Sequence, residues 1–119
     1  MNKELREEIN RLHADVCSAL ADPSRILILY TLVEHPMNVS ELSKAVVLPQ
    51  PTVSRHLKVL RDQGMVTPER DGQSIFYSLT DRRIIKALDL LRAILADSLE
   101  NQIALARTAS ETFSTTETD

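Results

Sequence analysis

The sequence predicts a mostly α-helical domain that carries one small β-hairpin. Three observations lead there. Apolar residues make up 43% of the chain but aromatics only 3%, with no Trp, so the core must be aliphatic, built from residues that suit helices. Apolar positions recur at spacings of three and four along most of the chain. After Gly64 that period is replaced by short strand-like runs around an Asp71-Gly72 turn signal. At 119 residues the chain is of ordinary single-domain size, with a modest core to which burial against a partner can add.

The elements follow in order. From residue 3 to about 20, Leu5, Ile9, Leu12, Val16 and Leu20 form the one-sided stripe of an amphipathic helix. Asp22 caps a second helix with Pro23 at its first position, and the run at 26–33 is apolar nearly all round, as befits a central core helix. His35-Pro36 ends it. Ser40 is a suitable N-cap for a short third helix over residues 41–47, with Leu42, Ala45 and Val46 inward.

Residues 49–63 then read as a helix of roughly four turns with one packing face. At about 100° per residue, Val53, Leu57 and Leu60 fall in one narrow arc and Arg55 lies almost opposite, flanked by Ser54 and Lys58. Pro51 is tolerated in the first turn and Gly64 supplies the stop. Two short helices joined by a tight turn, the second bearing a polar face, form a helix-turn-helix, whose second member enters the major groove.

Two arms, 65–70 and 73–79, around Asp71-Gly72 make a hairpin wing, with Pro68 marking an edge strand. Thr80 or Asp81 caps a last helix from 82 to about 107. Its apolar stripe of Ile84, Leu88, Leu91, Leu95 and Leu99, broadened by Ala87, Leu90 and Ile94, is too wide for a monomer of this size to cover. The simplest account is a homodimer packed through the N- and C-terminal helices. The expected domain is therefore 1–107, followed by a Thr/Ser/Glu-dominated tail, 108–119, expected to be disordered.

The outward face of the 49–63 helix suggests contacts with double-stranded DNA. Arg55 and Lys58 suit guanine edges or phosphates, Gln50 and Ser54 a base or a phosphate oxygen, and Thr52 a thymine methyl. Arg70, Gln73 and Ser74 at the wing tip would reach the adjacent minor groove or backbone, with Asp71 pointing away from phosphate. His56 lies at the edge of the buried arc, which suits a hydrogen-bonded structural role first and a phosphate contact second. The net charge of -3 neither supports nor excludes DNA, because the acidic excess sits at the two ends of the chain.

Several separate motifs agree in order and spacing. Leu20-Ala-Asp-Pro-Ser-Arg25, Val39-Ser-Glu-Leu42, Gln50-Pro-Thr-Val-Ser-Arg-His-Leu57, Gly64-Met-Val66, Arg70-Asp-Gly72 and Tyr77-Ser-Leu79 together resemble the ArsR/SmtB family of winged helix-turn-helix repressors, over residues 5 to about 100. The resemblance implies a homodimer whose two recognition helices read a palindromic operator and leave it when an inducer binds. It also exposes departures. Metal-sensing members carry Cys-x-Cys in the third helix, where this chain has Ser43 and Ala45; others use a set on the last helix, where the matching positions are Asp81, Arg83, Ile94 and Asp97. Arg83 and Ile94 cannot ligate Zn²⁺. Both familiar metal sites are thus expected to be absent, and no cofactor is expected.

His13 and Cys17, four residues apart on the first helix, could share a soft metal with Asp97 or Glu100 of a partner's last helix, or Cys17 could be a redox group or an inert half-buried thiol. One cysteine cannot close an intrachain disulfide, and no signal segment or long apolar run is present, so a cytoplasmic protein without a membrane partner is expected. With 2 Gly in all, no phosphate loop and no paired nucleophile and base, an enzyme is not expected. The alternative to a DNA-binding regulator is a winged-helix module that docks only on other proteins.

Overall fold

The structure is a computed structural model and describes residues 1–117. Its elements are α1 (Lys3–Arg11), a π-helical turn (Leu12–Cys17), α2 (Ser18–Leu20), α3 (Pro23–Thr31), α4 (Val39–Val46), α5 (Gln50–Asp62), β1 (Val66–Asp71), β2 (Ser74–Leu79) and α6 (Arg83–Glu117). Met1–Ile85 pack as one compact unit, and α6 from Lys86 onward forms a second. No described helix is long and apolar enough to cross a membrane.

The expected first helix is one helical stretch whose middle widens into the π turn, closed where the Ser18 N–H donates to the His13 carbonyl. Its start is capped by Asn2, whose Oδ1 accepts from the Leu5 N–H at 2.6 Å. Asp22 caps α3 through the Ser24 N–H at 2.9 Å, with Pro23 at the first position as expected. Ile28, Leu29 and Leu32 of this segment are buried, but Leu27 is exposed, so the helix is less uniformly embedded than its composition implies.

At α4 the N-cap is Asn38, not Ser40. Asn38 Oδ1 accepts from the Glu41 N–H at 2.9 Å and Glu41 Oε1 accepts from the Asn38 N–H at 3.2 Å, a reciprocal capping box that starts the helix two positions earlier. Leu42 is fully buried and Val46 half-buried, but Ala45, expected inward, is exposed. Val47 ends α4 with φ 56 and ψ 54, a left-handed conformation unfavourable for a β-branched residue. The Ser43 hydroxyl and carbonyl hold the turn by hydrogen bonds to the Leu48 carbonyl and N–H.

The core beneath α5 is aliphatic, as expected: Val53, Leu57 and Leu60 are fully buried. Gly64, at φ 72, stops the helix; its N–H donates to the Arg61 carbonyl at 2.9 Å and that of Met65 to the Leu60 carbonyl at 2.8 Å. These two bonds make a Schellman motif, and its flanking apolar pair, Leu60 and Met65, is buried.

The wing's register pairs Val66 with Leu79 and Asp71 with Ser74. The two loop residues are therefore Gly72 and Gln73, not Asp71 and Gly72. Gly72 takes the positive φ of 63 that the first loop position requires, while Asp71 stays in the ladder. On its other edge β2 is bound to the segment before α4: the Met37 N–H donates to the Tyr77 carbonyl at 3.1 Å and the Tyr77 N–H to the Met37 carbonyl at 2.8 Å.

α6 begins at Arg83, with Asp81 Oδ1 accepting from the Arg83 N–H at 2.9 Å. It continues beyond the expected end near Arg107 through Glu117, so the tail expected to be disordered is helical as far as it is described; residues 118–119 lie outside the described residues. Its polar hydroxyls need not break a helix, since Thr108 Oγ1 donates to the Ala104 carbonyl at 3.0 Å.

Candidate nucleic-acid interface

The outward face of α5 is presented by its buried one. Because Val53, Leu57 and Leu60 are locked inward, the 3.6-residue period turns Gln50, Ser54, Arg55 and Lys58 to solvent, and all four are exposed. Among the described residues neither Arg55 nor Lys58 has an ion-pair partner, so both positive charges remain available. Thr52 is half-buried on the flank that faces α3. The helix starts at Pro49 with no side-chain cap, which leaves its N-terminal end open to an anion.

Two clefts flank this face. On one side Ser54 shares a groove with Gln73 and Ser74 of the wing and with Asn38 and Ser40 at the start of α4, which gathers hydroxyl and amide groups from three elements. On the other side Thr52, Arg55 and Lys58 line a groove with Asp22, Arg25 and His56. The candidate contacts thus fall into two sets on either side of α5. Arg70 belongs to neither; it lies on the wing beside Glu69, Asp71 and Phe76. Pairing places Arg70 opposite Ile75 and Asp71 opposite Ser74, so the side chains of Arg70 and Asp71 leave the ladder on opposite faces.

His56 is largely buried, 13% exposed, and its ring nitrogens face Arg25 and Asp22. Asp22 is held below the usual carboxylate range, first by the Ser24 N–H that caps α3 and to a lesser degree by the nearby Arg25 guanidinium. The motif Leu20-Ala-Asp-Pro-Ser-Arg25 therefore has two structural roles: Asp22 starts α3, as expected, and Arg25 reaches back to the end of α2. Arg82 was also unforeseen; its Nη2 donates to the Val33 carbonyl at 2.9 Å and ties the end of α3 to the segment after the wing. The Arg82–Val33 and Arg25–His56 links join residues far apart in sequence and leave no local signal.

The positions at which the family resemblance would imply metal ligands hold other partners here. Arg83 Nη2 lies 2.7 Å from Asp81 Oδ2, and this contact, with the Arg83 N–H, lowers the Asp81 carboxyl to about 2. Its charge is thereby committed to a cap and an ion pair. Ser43 is engaged with Leu48 in the turn. His13 and Cys17 lie within and at the end of the π turn, and Cys17 is exposed; Asp97 and Glu100 are exposed on α6. No group of three or more metal-ligating side chains occurs among the described residues.

Comparison with known proteins places this geometry. The model of the arsR family of bacterial regulatory proteins matches residues 22–67, from the cap of α3 into the wing. The nodulation protein NolR of Rhizobium meliloti is 38% identical over 95 residues, covering 80% of this chain and 78% of NolR. The crystal structure of the transcriptional repressor BigR from Xylella fastidiosa superposes with a TM-score of 0.66 at 34% identity, covering 79% of this chain and 96% of BigR. A homodimeric winged helix-turn-helix DNA-binding domain, Mb0332 of Mycobacterium bovis, superposes at 0.72 over 85% of this chain and 93% of its own; at 23% identity it shows the fold alone, a winged helix-turn-helix. The chain belongs to the arsR family of bacterial regulatory proteins and is a transcription regulator, not an enzyme.

Proposed function

We propose that this protein is a homodimeric transcriptional repressor that acts in the cytoplasm, binds a palindromic operator through α5 and the wing, and leaves it when an inducer binds. The observation that carries this is the exposed face of α5: among the described residues Arg55 and Lys58 have no ion-pair partners and line one groove, while Ser54 on the other side shares the hydroxyl-lined cleft of the wing. Gln50, Thr52, Ser54, Arg55 and Lys58 read a major-groove half-site, while Arg70, Gln73 and Ser74 hold the backbone. Exposed apolar surface supports the dimer: Leu12 on the first helix is 51% exposed, and Leu91 and Leu95 on α6 are each 61% exposed. Covering these faces with a second copy sets the spacing of the two reading helices, and an inducer that favours another spacing by about 1–3 kcal/mol weakens operator binding by roughly 5- to 150-fold.

The test is fluorescence anisotropy on the DNA upstream of the protein's own coding sequence. Affinity should fall steeply between low and moderate salt as counterions return to the phosphates. Arg55→Ala should weaken operator binding by about 1–3 kcal/mol and relax one base preference. Parent-like binding by that variant would remove α5 from the interface.

A further inference from the structure

Arg25 stands in the first turn of α3, where a positive charge opposes the helix dipole, so its own helix gains nothing from it. Its guanidinium is used elsewhere. Nε donates to the Ala19 carbonyl at 2.6 Å and Nη2 to the Ser18 carbonyl at 3.3 Å, which satisfies two carbonyls in the last turn of α2, the end that favours a cation. Nη1 lies 3.5 Å from Nδ1 of His56, thirty-one positions along the chain on α5. A guanidinium only donates, so Nδ1 must accept, and the imidazole proton resides on Nε2. That nitrogen lies 3.9 Å from Asp22 Oδ2, where an N–H suits a carboxylate. One planar cation therefore joins the end of the first helical stretch, the start of α3 and the middle of α5. The joint forms a wall of the groove that also contains Arg55 and Lys58.

We propose that Arg25 and His56 are positioning residues that set the rotation of α5 about its own axis relative to α2 and α3, and thereby where Arg55 and Lys58 point. This rests on α5 being the DNA-reading helix. The three apolar anchors Val53, Leu57 and Leu60 hold α5 down but permit small rotations, because apolar contact is not directional. The Arg25–His56 contact is directional and sits beside the reading side chains, which need to be held within about 0.5 Å of their productive positions. A lysine in place of Arg25 keeps the charge but cannot present the planar fork that meets three acceptors.

The experiment uses the full chain with Arg25→Lys, His56→Ala, His56→Asn and the double variant Arg25→Lys/His56→Ala. Each is titrated by anisotropy against the protein's own upstream duplex and a scrambled duplex of equal length, and amide hydrogen exchange is measured on the DNA-free proteins. Arg25→Lys and His56→Ala should each lose about tenfold or more on the upstream duplex and less than about twofold on the scrambled one, since the charge available to phosphates is retained. His56→Asn, whose side-chain oxygen can accept near the Nδ1 position, should recover most of the loss, and the double variant should be no worse than the poorer single one. In the DNA-free proteins, α5 amides should exchange several-fold faster in Arg25→Lys and His56→Ala than in the parent. Parent-like operator affinity and exchange in those two variants overturn the proposal, as does an equal loss on both duplexes that His56→Asn fails to rescue. If the parent itself does not distinguish the two duplexes, the repressor assignment fails, and unchanged α5 exchange alone then overturns the positioning role while faster exchange upholds it.

Discussion

The first helical stretch and α5 are built on the same plan, yet they end in opposite conditions. Each carries an apolar stripe at helical spacing and a polar opposite face. In α5 the stripe is completely buried, with Val53, Leu57 and Leu60 at 0% exposure, and its polar face is thereby turned to solvent. In α1 and the π turn the corresponding residues Leu5, Ile9 and Leu12 remain exposed. Amphipathicity states that a face will be buried, not what will bury it. α5 finds its cover within its own chain; the first helix awaits another surface, which the proposed dimer supplies.

That contrast can be broken or sharpened by substitution. Leu57→Ala should be the most damaging, since a fully buried leucine leaves a cavity and costs about 2–5 kcal/mol, read as a lower urea midpoint. The midpoint of Leu57→Ala matching the parent would mean that the core beneath α5 is not the one described.

On the first helix the equivalent change should act on association instead. Leu12→Glu should raise the dimer dissociation constant by about tenfold or more, ~1.4 kcal/mol, because a charge would enter an apolar interface. Sedimentation velocity over a dilution series measures this, and an unchanged dimer population would show that the exposed stripe of the first helix is not the contact.

The turn that delivers α5 offers a smaller effect. Val47 is left-handed and highly exposed, so Val47→Gly should remove a backbone cost of about 1 kcal/mol and raise the unfolding midpoint, although glycine's own chain entropy offsets part of the gain. A lower midpoint would mean that the Val47 side chain has a partner, such as a second copy.

The smallest effect lies at Asp81. Its carboxyl is lowered in the folded state to about 2 from an ordinary 3.8, so its stabilising contribution is complete by about pH 5 and is lost as the pH falls through 2. Thermal midpoints of the parent and Asp81→Asn should differ by a constant amount above about pH 5 and converge by about pH 1. A gap that persists undiminished at about pH 1 would assign the effect to something other than the Arg83 pair.

Where local chemistry decides, the structure was legible beforehand. Asp22-Pro23, Gly64 and the 53/57/60 stripe each specify a start, a stop or a face within one or two helical turns, and each is found as expected. Asn38 and Ser40 show the limit of such signals: both are good caps, and only the reciprocal bond with Glu41 selects Asn38. The wing shows a similar limit, since Asp71-Gly72 marks a turn but the ladder register assigns Asp71 to the strand. The candidate contacts could be named because they sit opposite a stripe; their separation into two clefts could not, because that depends on where α3, α4 and the wing lie around α5.

By itself, then, the sequence determined the order of the helices, the hairpin, the polar face of α5 and the family, because caps, breakers and apolar periods act over a few residues. The tertiary structure alone decided which apolar faces are covered and which polar groups meet. Met37 binding Tyr77, Arg82 binding Val33, and Arg25 reaching both α2 and His56 join segments that are remote along the chain or turn back on each other. Such contacts form only once the chain has closed its loops around the aliphatic core, and no local pattern encodes them.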